Sequence, residues 1–256
     1  MELLALGLVL GLVIGVTGIG GGMLTTPALT LLMGVPIASA VGTSLLFSAI
    51  TKIFASAIYV YRGLVCVRLT TLLALGSIPG SLLGSYSFHY FFKVNAELAA
   101  KVVSVLVLVM IVSSCLFSYY RMFTKNEKII NFDIRNRPKL IPIIGFVVGF
   151  DIGFTSIGAG VIVASILLAL CPMNPSRIIG TDIVHGFVLS LFAGGIHFSM
   201  GGVDTEVLLG LLSGGIFGVI LGSLVSPYLP QKPFRFALNS VVLVFAFMFA
   251  FKVFGV

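Results

Sequence analysis

"GVTGIGGGMLTTPALTLLMGVP", residues 15–36, sits in a stretch apolar enough to enter a bilayer, yet it holds a cluster of glycines, two prolines and several threonines. Glycine and proline inside a helix cost about 1 and 3 kcal/mol relative to alanine, so this piece breaks the helix its neighbours would form. The split at Thr17–Gly22 leaves apolar halves of about 15 and 11 residues within 1–34. At about 1.5 Å per residue, neither half reaches across a hydrocarbon core of roughly 30 Å. Two halves that enter and return form a re-entrant hairpin. Unwound backbone at that depth survives only when it is buried in protein or lines a wet cavity.

The rest of the chain places this break in a membrane. Of 256 residues, 59% are hydrophobic and 9% charged, with a mean hydropathy of +1.20, outside the composition of soluble domains. "VVSVLVLVMIVSSCLF" (102–117) and "VVLVFAFMFAFKVF" (241–254) are continuously apolar. A transmembrane β-barrel needs alternation instead, so that class is excluded. The opening "MELLALGLVLGLVIGV" has no Lys or Arg before its apolar run, which argues against a cleaved signal peptide. The formal charge of +7 comes mostly from basic residues flanking apolar segments, a topology signal rather than a nucleic-acid footprint. Cys66, Cys115 and Cys171 are far apart and form no CxxC, so we expect small apolar fillers, not disulfides or a metal site. Tryptophan is absent, which leaves Tyr59, Tyr61, Tyr86, Tyr90, Tyr119, Tyr120 and Tyr228 as the expected interfacial belt.

The broken pattern occurs twice. The polar stretch "RMFTKNEKIINFDIRNRPK" (121–139) divides the chain near its middle, and "AVGTSLL" (40–46) before it faces "IIGTDIV" (178–184) after it. Gly42 and Gly180 are 138 residues apart. At the same spacing Gly76, Gly80 and Gly84 match Gly214, Gly218 and Gly222, and Ile19, Gly20 and Gly22 match Ile157, Gly158 and Gly160. Matches in one gapless register identify an internal duplication: repeat 1 over 1–121, a linker loop over 122–138 and repeat 2 over 139–256. Each copy contains a broken segment and three long ones, at about 1–34, 38–62, 68–91 and 97–121, then 139–172, 175–200, 204–228 and 231–254.

Charge orients the copies. Arg121, Lys125, Lys128, Arg135, Arg137 and Lys139 place the central loop in the cytoplasm. Two spans back, Arg62 and Arg68 lie on the same side, whereas the equivalent loop "GGVDTEV" (201–207) has two acids and no base, which suits the outside. Lys232 and Arg235 then return inside. The copies are inverted if each crosses an odd number of times, which re-entrant breaks provide. The expected fold is an all-α polytopic membrane protein of two inverted repeats, each a broken helix pair plus three transmembrane helices. An inverted pair of breaks is the pattern of secondary transporters.

The breaks offer bare amides. Gly20, Gly21 and Gly22 leave N–H groups unshielded, and a half-helix starting near Met23 or Leu24 aims its positive end at the same space, so a small anion is the natural guest. Thr17, Thr25 and Thr26 add hydroxyls, as do Thr155 and Ser156 beside Gly158 and Gly160 in the second copy. The competing reading is that the glycines only permit close packing. Thr43-Ser44 and Thr181-Asp182 follow glycines early in long helices at comparable depth; their hydroxyls serve either the guest or the i−4 carbonyl. Lys52, near mid-membrane, either attracts the anion or pairs with Asp151 or Asp182. Asp182 and His185 fall on one helical face, where they share a coupling proton or form a structural pair; Asp151 is a similar case. His89 and His197 fall near span ends and are expected at the interface. The glycine ladders are read as packing faces.

"GIGGGMLTTPAL", "AVGTSLL", "LGSIPGSLLGS" and their echoes in the second half resemble the TauE/SafE sulfite exporter family, also called the TSUP permeases, over essentially the whole chain. The resemblance implies movement of small sulfur-containing anions, sulfite and organosulfonates among them, across the bacterial cytoplasmic membrane. Two departures stand out: "SIGAG" replaces "GIGGG", and Asp182 replaces the serine of the G-T-S pattern, so the half-sites need not be equivalent.

Three functions compete. The first is a secondary transporter binding a small anion between the breaks; the second is a passive anion channel, or a permease for sulfate or a carboxylate. The third, an intramembrane enzyme, has no HExxH or GxSxG to support it, and no Walker motif supports ATP hydrolysis. No cofactor or metal is called for. The partners are the anion and membrane lipid, with a homodimer and a coupling proton or sodium ion left open and nucleic acid excluded.

Overall fold

The structure is a computed structural model that describes residues 1–17, 21–123, 134, 137–157, 163, 167, 171, 173–229 and 231–254. Gly20, Gly158 and Gly160 and most of the linker lie outside the described residues. Repeat 1 folds as α1 (Glu2–Thr17), α2 (Gly21–Leu32), α3 (Ile37–Tyr61), α4 (Val67–Val94) and α5 (Ala96–Phe123). Repeat 2 folds as α6 (Leu140–Thr155), α7 (Pro175–Ser199), α8 (Thr205–Val225), a 3₁₀ turn at Ser226–Tyr228 and α9 (Gln231–Phe254). Among the described residues, six helices are long and apolar enough to cross a membrane: α3, α4, α5, α7, α8 and α9. The molecule is an all-α, multi-pass membrane protein.

Local chemistry sets the ends. Asn174 caps α7 by accepting from the Ser176 N–H, with Pro175 at the first helical position, where its missing donor costs nothing. Asp204 caps α8 through the Val207 N–H. Gly63 and Gly201, equivalent in the duplication, both take a positive φ, of 66° and 73°, in the tight turns after α3 and α7. As the composition leads one to expect, α1 and α6 stop at the breaks, at Thr17 and Thr155.

The glycine ladders pack helix on helix, with α1 against α8 and α6 against α4. A Cβ on Gly7, Gly11 or Gly15 would run into the carbonyls of Leu211, Gly215 or Val219, and one on Gly145, Gly149 or Gly153 into those of Leu73, Ser77 or Ser81. Ascending numbers pair with ascending numbers, so both pairs run parallel. Each contact in one set is the other displaced by the duplication spacing, with the copies exchanged.

At the centre α3 packs on α7. Gly42 lies against the Gly202 carbonyl, Lys52 against Gly186, and Tyr59 against Gly180. The Ser190 hydroxyl donates to Ser48 over 3.5 Å. Numbers ascend on one helix as they descend on the other, so these equivalent helices run antiparallel. Around this pair, α5 packs on α9 and α2 on α3.

Two expectations from the sequence need correction. Tyr59 is not an interfacial tyrosine: it is 1% exposed, and its hydroxyl donates to Ser226, which donates to the Val16 carbonyl at the end of α1. His197 is also fully buried; its Nε2–H donates to the Gly153 carbonyl in the last turn of α6 at 3.0 Å. Tyr59 and His197 occupy equivalent positions in the duplication. His197 directly, and Tyr59 through Ser226, serve carbonyls orphaned by a broken helix, which no lipid can do. His89 is half-buried, with its ring 4.7 Å from His197. Tyr61, Tyr90, Tyr120 and Tyr228 are exposed, and Cys66 and Cys115 form no disulfide.

Candidate functional site: two helix breaks in contact

The site begins at Ser156. It follows the last residue of α6 with φ 62°, the only non-glycine positive φ among the described residues, while its N–H still reaches the Ile152 carbonyl at 2.8 Å. A left-handed residue other than glycine costs about 1–2 kcal/mol. The equivalent residue of repeat 1 is Gly18, the type that takes this conformation without strain. Here serine occupies the strained position, and its hydroxyl is used.

The second break meets the first at this point. A Cβ on Gly22 would collide with the Ser156 carbonyl, so only glycine lets α2 begin there. Thr26 on α2 lies 2.7 Å from Ser156 Oγ and 2.7 Å from Ser44 Oγ on α3. Ser44 donates its only hydrogen to the Val41 carbonyl at 2.9 Å. Each hydroxyl has one hydrogen, so the order is set: Ser156 donates to Thr26, Thr26 to Ser44, and Ser44 to the backbone. Ser156 heads the relay and is the hydroxyl able to turn its hydrogen to an incoming acceptor. Thr25 is fully buried, and its hydroxyl has no hydrogen-bond partner among the described residues. In the second break, Thr155 donates to the Asp151 backbone at 3.0 Å and lies 3.2 Å from Asp151 Oδ1.

A second polar cluster lies roughly 12 Å along α3, eight residues from Ser44. Lys52 is fully buried, and its Nζ has no hydrogen-bond partner among the described residues. The ammonium rests against Gly186, where any side chain would displace it. Asp182, one turn away on α7, and His185 both lie within electrostatic range of Lys52. His185 Nε2 is 2.9 Å from the Ser77 hydroxyl on α4. An ammonium without a hydrogen bond in a bilayer interior costs several kcal/mol, an expense structure alone does not require.

The candidate residues therefore fall into groups. Gly22, Thr26, Ser44 and Ser156 come together, as do Lys52, Asp182 and His185, while Asp151 stays with Thr155. Thr17 donates to the Val13 carbonyl, in the last turn of α1. Gly21 opens α2. Thr43 and Thr181 are occupied elsewhere: Thr43 Oγ1 accepts from the Asp204 N–H at 2.9 Å, and Thr181 Oγ1 from the Cys66 N–H at 3.0 Å. Here the two copies again repeat one contact with the partners exchanged. The G-T pair is thus a clamp, glycine admitting a crossing carbonyl and threonine holding the loop N–H. Thr43→Ala is expected to lower stability by about 1–3 kcal/mol by orphaning that N–H, and Thr43→Ser to restore it; melting of the purified variants checks this.

Ser77 escapes a reading of the ladder for its glycines alone. In "LGSIPGSLLGS" a serine follows each of Gly76, Gly80 and Gly84, so Ser77, Ser81 and Ser85 form a second stripe at helical spacing; all three are fully buried.

None of Thr25, Thr26, Ser44, Lys52, Thr155, Ser156, Asp182 or His185 is more than 6% exposed, so these side chains are shut off from solvent.

The comparisons agree with this architecture. The family model described as "Sulfite exporter TauE/SafE" matches residues 3–249. Three similar proteins come from Bacillus subtilis (strain 168). "Probable membrane transporter protein YjnA" is 35% identical over 250 residues, covering 95% of this chain and 97% of that protein. "Probable membrane transporter protein YunE" is 26% identical, covering 90% and 89%, and "Probable membrane transporter protein YdhB" is 24% identical, covering 90% and 91%. No solved structure matches. A match over nearly the full length, on a multi-pass helical fold with a closed polar centre, makes this chain a membrane transporter of the TauE/SafE sulfite exporter family.

Proposed function

We propose that the protein is a secondary transporter that binds a small sulfur-containing anion, sulfite or an organosulfonate, where the two breaks meet, and moves it by alternating access. The observation carrying this reading is the fully buried Lys52 amino group, without a hydrogen bond among the described residues, in the same interior as the Ser156–Thr26–Ser44 relay. The relay supplies donors that reorient without net cost in charge, and the ammonium supplies the attraction. The name of the matching family supports sulfite as a substrate. The antiparallel pairing of equivalent helices supports copies that enter the bilayer from opposite sides, in the cytoplasmic membrane of a bacterium, with the basic central loop inside.

A site this closed favours a carrier over an open channel. In proteoliposomes, flux of labelled sulfite or an organosulfonate is expected to saturate and to show counterflow. Linear flux of channel size would overturn the carrier reading.

Coupling is assigned to Asp182. Lys52 from α3 lies within electrostatic range of Asp182, and His185, three residues on along the same helix, is bonded to Ser77 from α4. When the anion moves from the breaks along α3 to Lys52, it competes with Asp182 for that charge and Asp182 takes up a proton, so anion and proton move together. Asp182→Asn is expected to flatten the pH dependence of flux; an unaltered profile in correctly inserted protein removes Asp182 from this role.

A further inference from the structure

On the far side of α2 from the polar site, a crevice of about 300 Å³ opens between α1 and α9. Its lining is wholly apolar: Leu6 and Val13 from α1, Leu24 and Ala28 from α2, and Leu238 and Phe245 from α9 are among its walls. Its walls offer a water none of the polar partners it needs, so the crevice suits an apolar guest. Its rim is apolar and exposed, with Val9 57% and Val241 48% exposed. A cation stands beside it. Lys252, on α9 two turns beyond Phe245, is exposed and donates one N–H to the Thr30 carbonyl, next to Ala28 along α2. An ammonium has three donors, so two remain.

We propose that this crevice is a lipid-binding site: one acyl chain of an anionic phospholipid lies between α1 and α9 against Leu24 and Ala28, with its phosphate at the Lys252 ammonium. Apolar walls take the chain by burial, and the rim cation selects the headgroup. Leu24 and Ala28 share one face of α2, while Thr26 lies on the opposite face, in the hydroxyl relay. The chain thus props the half-helix that carries the polar site. The proposal does not depend on which solute is transported.

The test is photolabelling of the full-length protein in nanodiscs, using phosphatidylglycerol or phosphatidylcholine with a diazirine in the acyl chain and mapping by peptide mass spectrometry. The expected label concentrates on segments 6–13 and 237–245 and is stronger from phosphatidylglycerol. Ala237→Phe, which fills the crevice from its exposed side, should abolish the concentrated label. Lys252→Gln, an exposed change that leaves the crevice intact, should equalise the two lipids. Label spread evenly over all lipid-facing helices, label undiminished in Ala237→Phe, or equal labelling of the wild type by both lipids would overturn the proposal.

Discussion

Lys52→Met is expected to reduce anion flux by about 10- to 150-fold while leaving the protein folded. A charged hydrogen bond contributes about 1.5–3 kcal/mol, which converts to that range. Methionine fills nearly the same volume, and Gly186 continues to accommodate it. The substitution leaves the buried Asp182 carboxylate without the cation in its range, so the melting temperature should fall and recover when Asp182→Asn is added. The Asp182 carboxylate within range of Lys52 then loses its cation, and the double variant Lys52→Met/Asp182→Asn measures how strongly the two are coupled. Flux in proteoliposomes, normalised to inserted protein, checks the first expectation and melting the second. Wild-type flux in the inserted Lys52→Met protein would remove Lys52 from the site.

Ser156 permits a sharper separation, because strain and chemistry lie in one residue. Ser156→Gly removes both the hydroxyl and the left-handed penalty; Ser156→Ala removes the hydroxyl and keeps the penalty. Both are expected to lower flux by about 5- to 10-fold, since either leaves Thr26 without its donor and the anion without the head of the relay. Their stabilities should diverge, with the glycine variant about 1 kcal/mol above the alanine variant. Equal stabilities would show that the strain is relaxed by the surroundings. Undiminished flux in both variants would show that the hydroxyl does not touch the anion.

Much of this architecture is legible in the chain because its signals are long and repeated. Uninterrupted apolar runs such as 102–117 identify the spans. The gapless spacing of Gly42 and Gly180 exposes the duplication, and the glycine clusters locate the breaks. The partners of individual side chains are less legible, since they depend on which helices cross. Tyr59 and His197 look interfacial because they lie near span ends. They are buried because α3 and α7 cross at the centre, where the Tyr59 hydroxyl meets Ser226, which caps the Val16 carbonyl, and His197 reaches the Gly153 carbonyl directly. Thr43 and Thr181 look like site residues by depth, yet the same crossing hands their hydroxyls to loop amides. Lys52, Asp182 and His185 stand out in any apolar segment because charge there is costly. Their meeting with Ser77 required the packing of α4 on α7.

The central claim is that equivalent elements of the two copies face opposite sides of the membrane, so that the breaks approach each other from both faces. Val67 and Thr205 are equivalent, exposed and at the first turns of α4 and α8. In a background with Cys66, Cys115 and Cys171 replaced by serine, Val67→Cys and Thr205→Cys can each be probed with a membrane-impermeant maleimide in intact cells and in inverted vesicles. Labelling of Thr205→Cys in cells and of Val67→Cys only in inverted vesicles is the predicted result. Labelling of both from the same side would contradict the account.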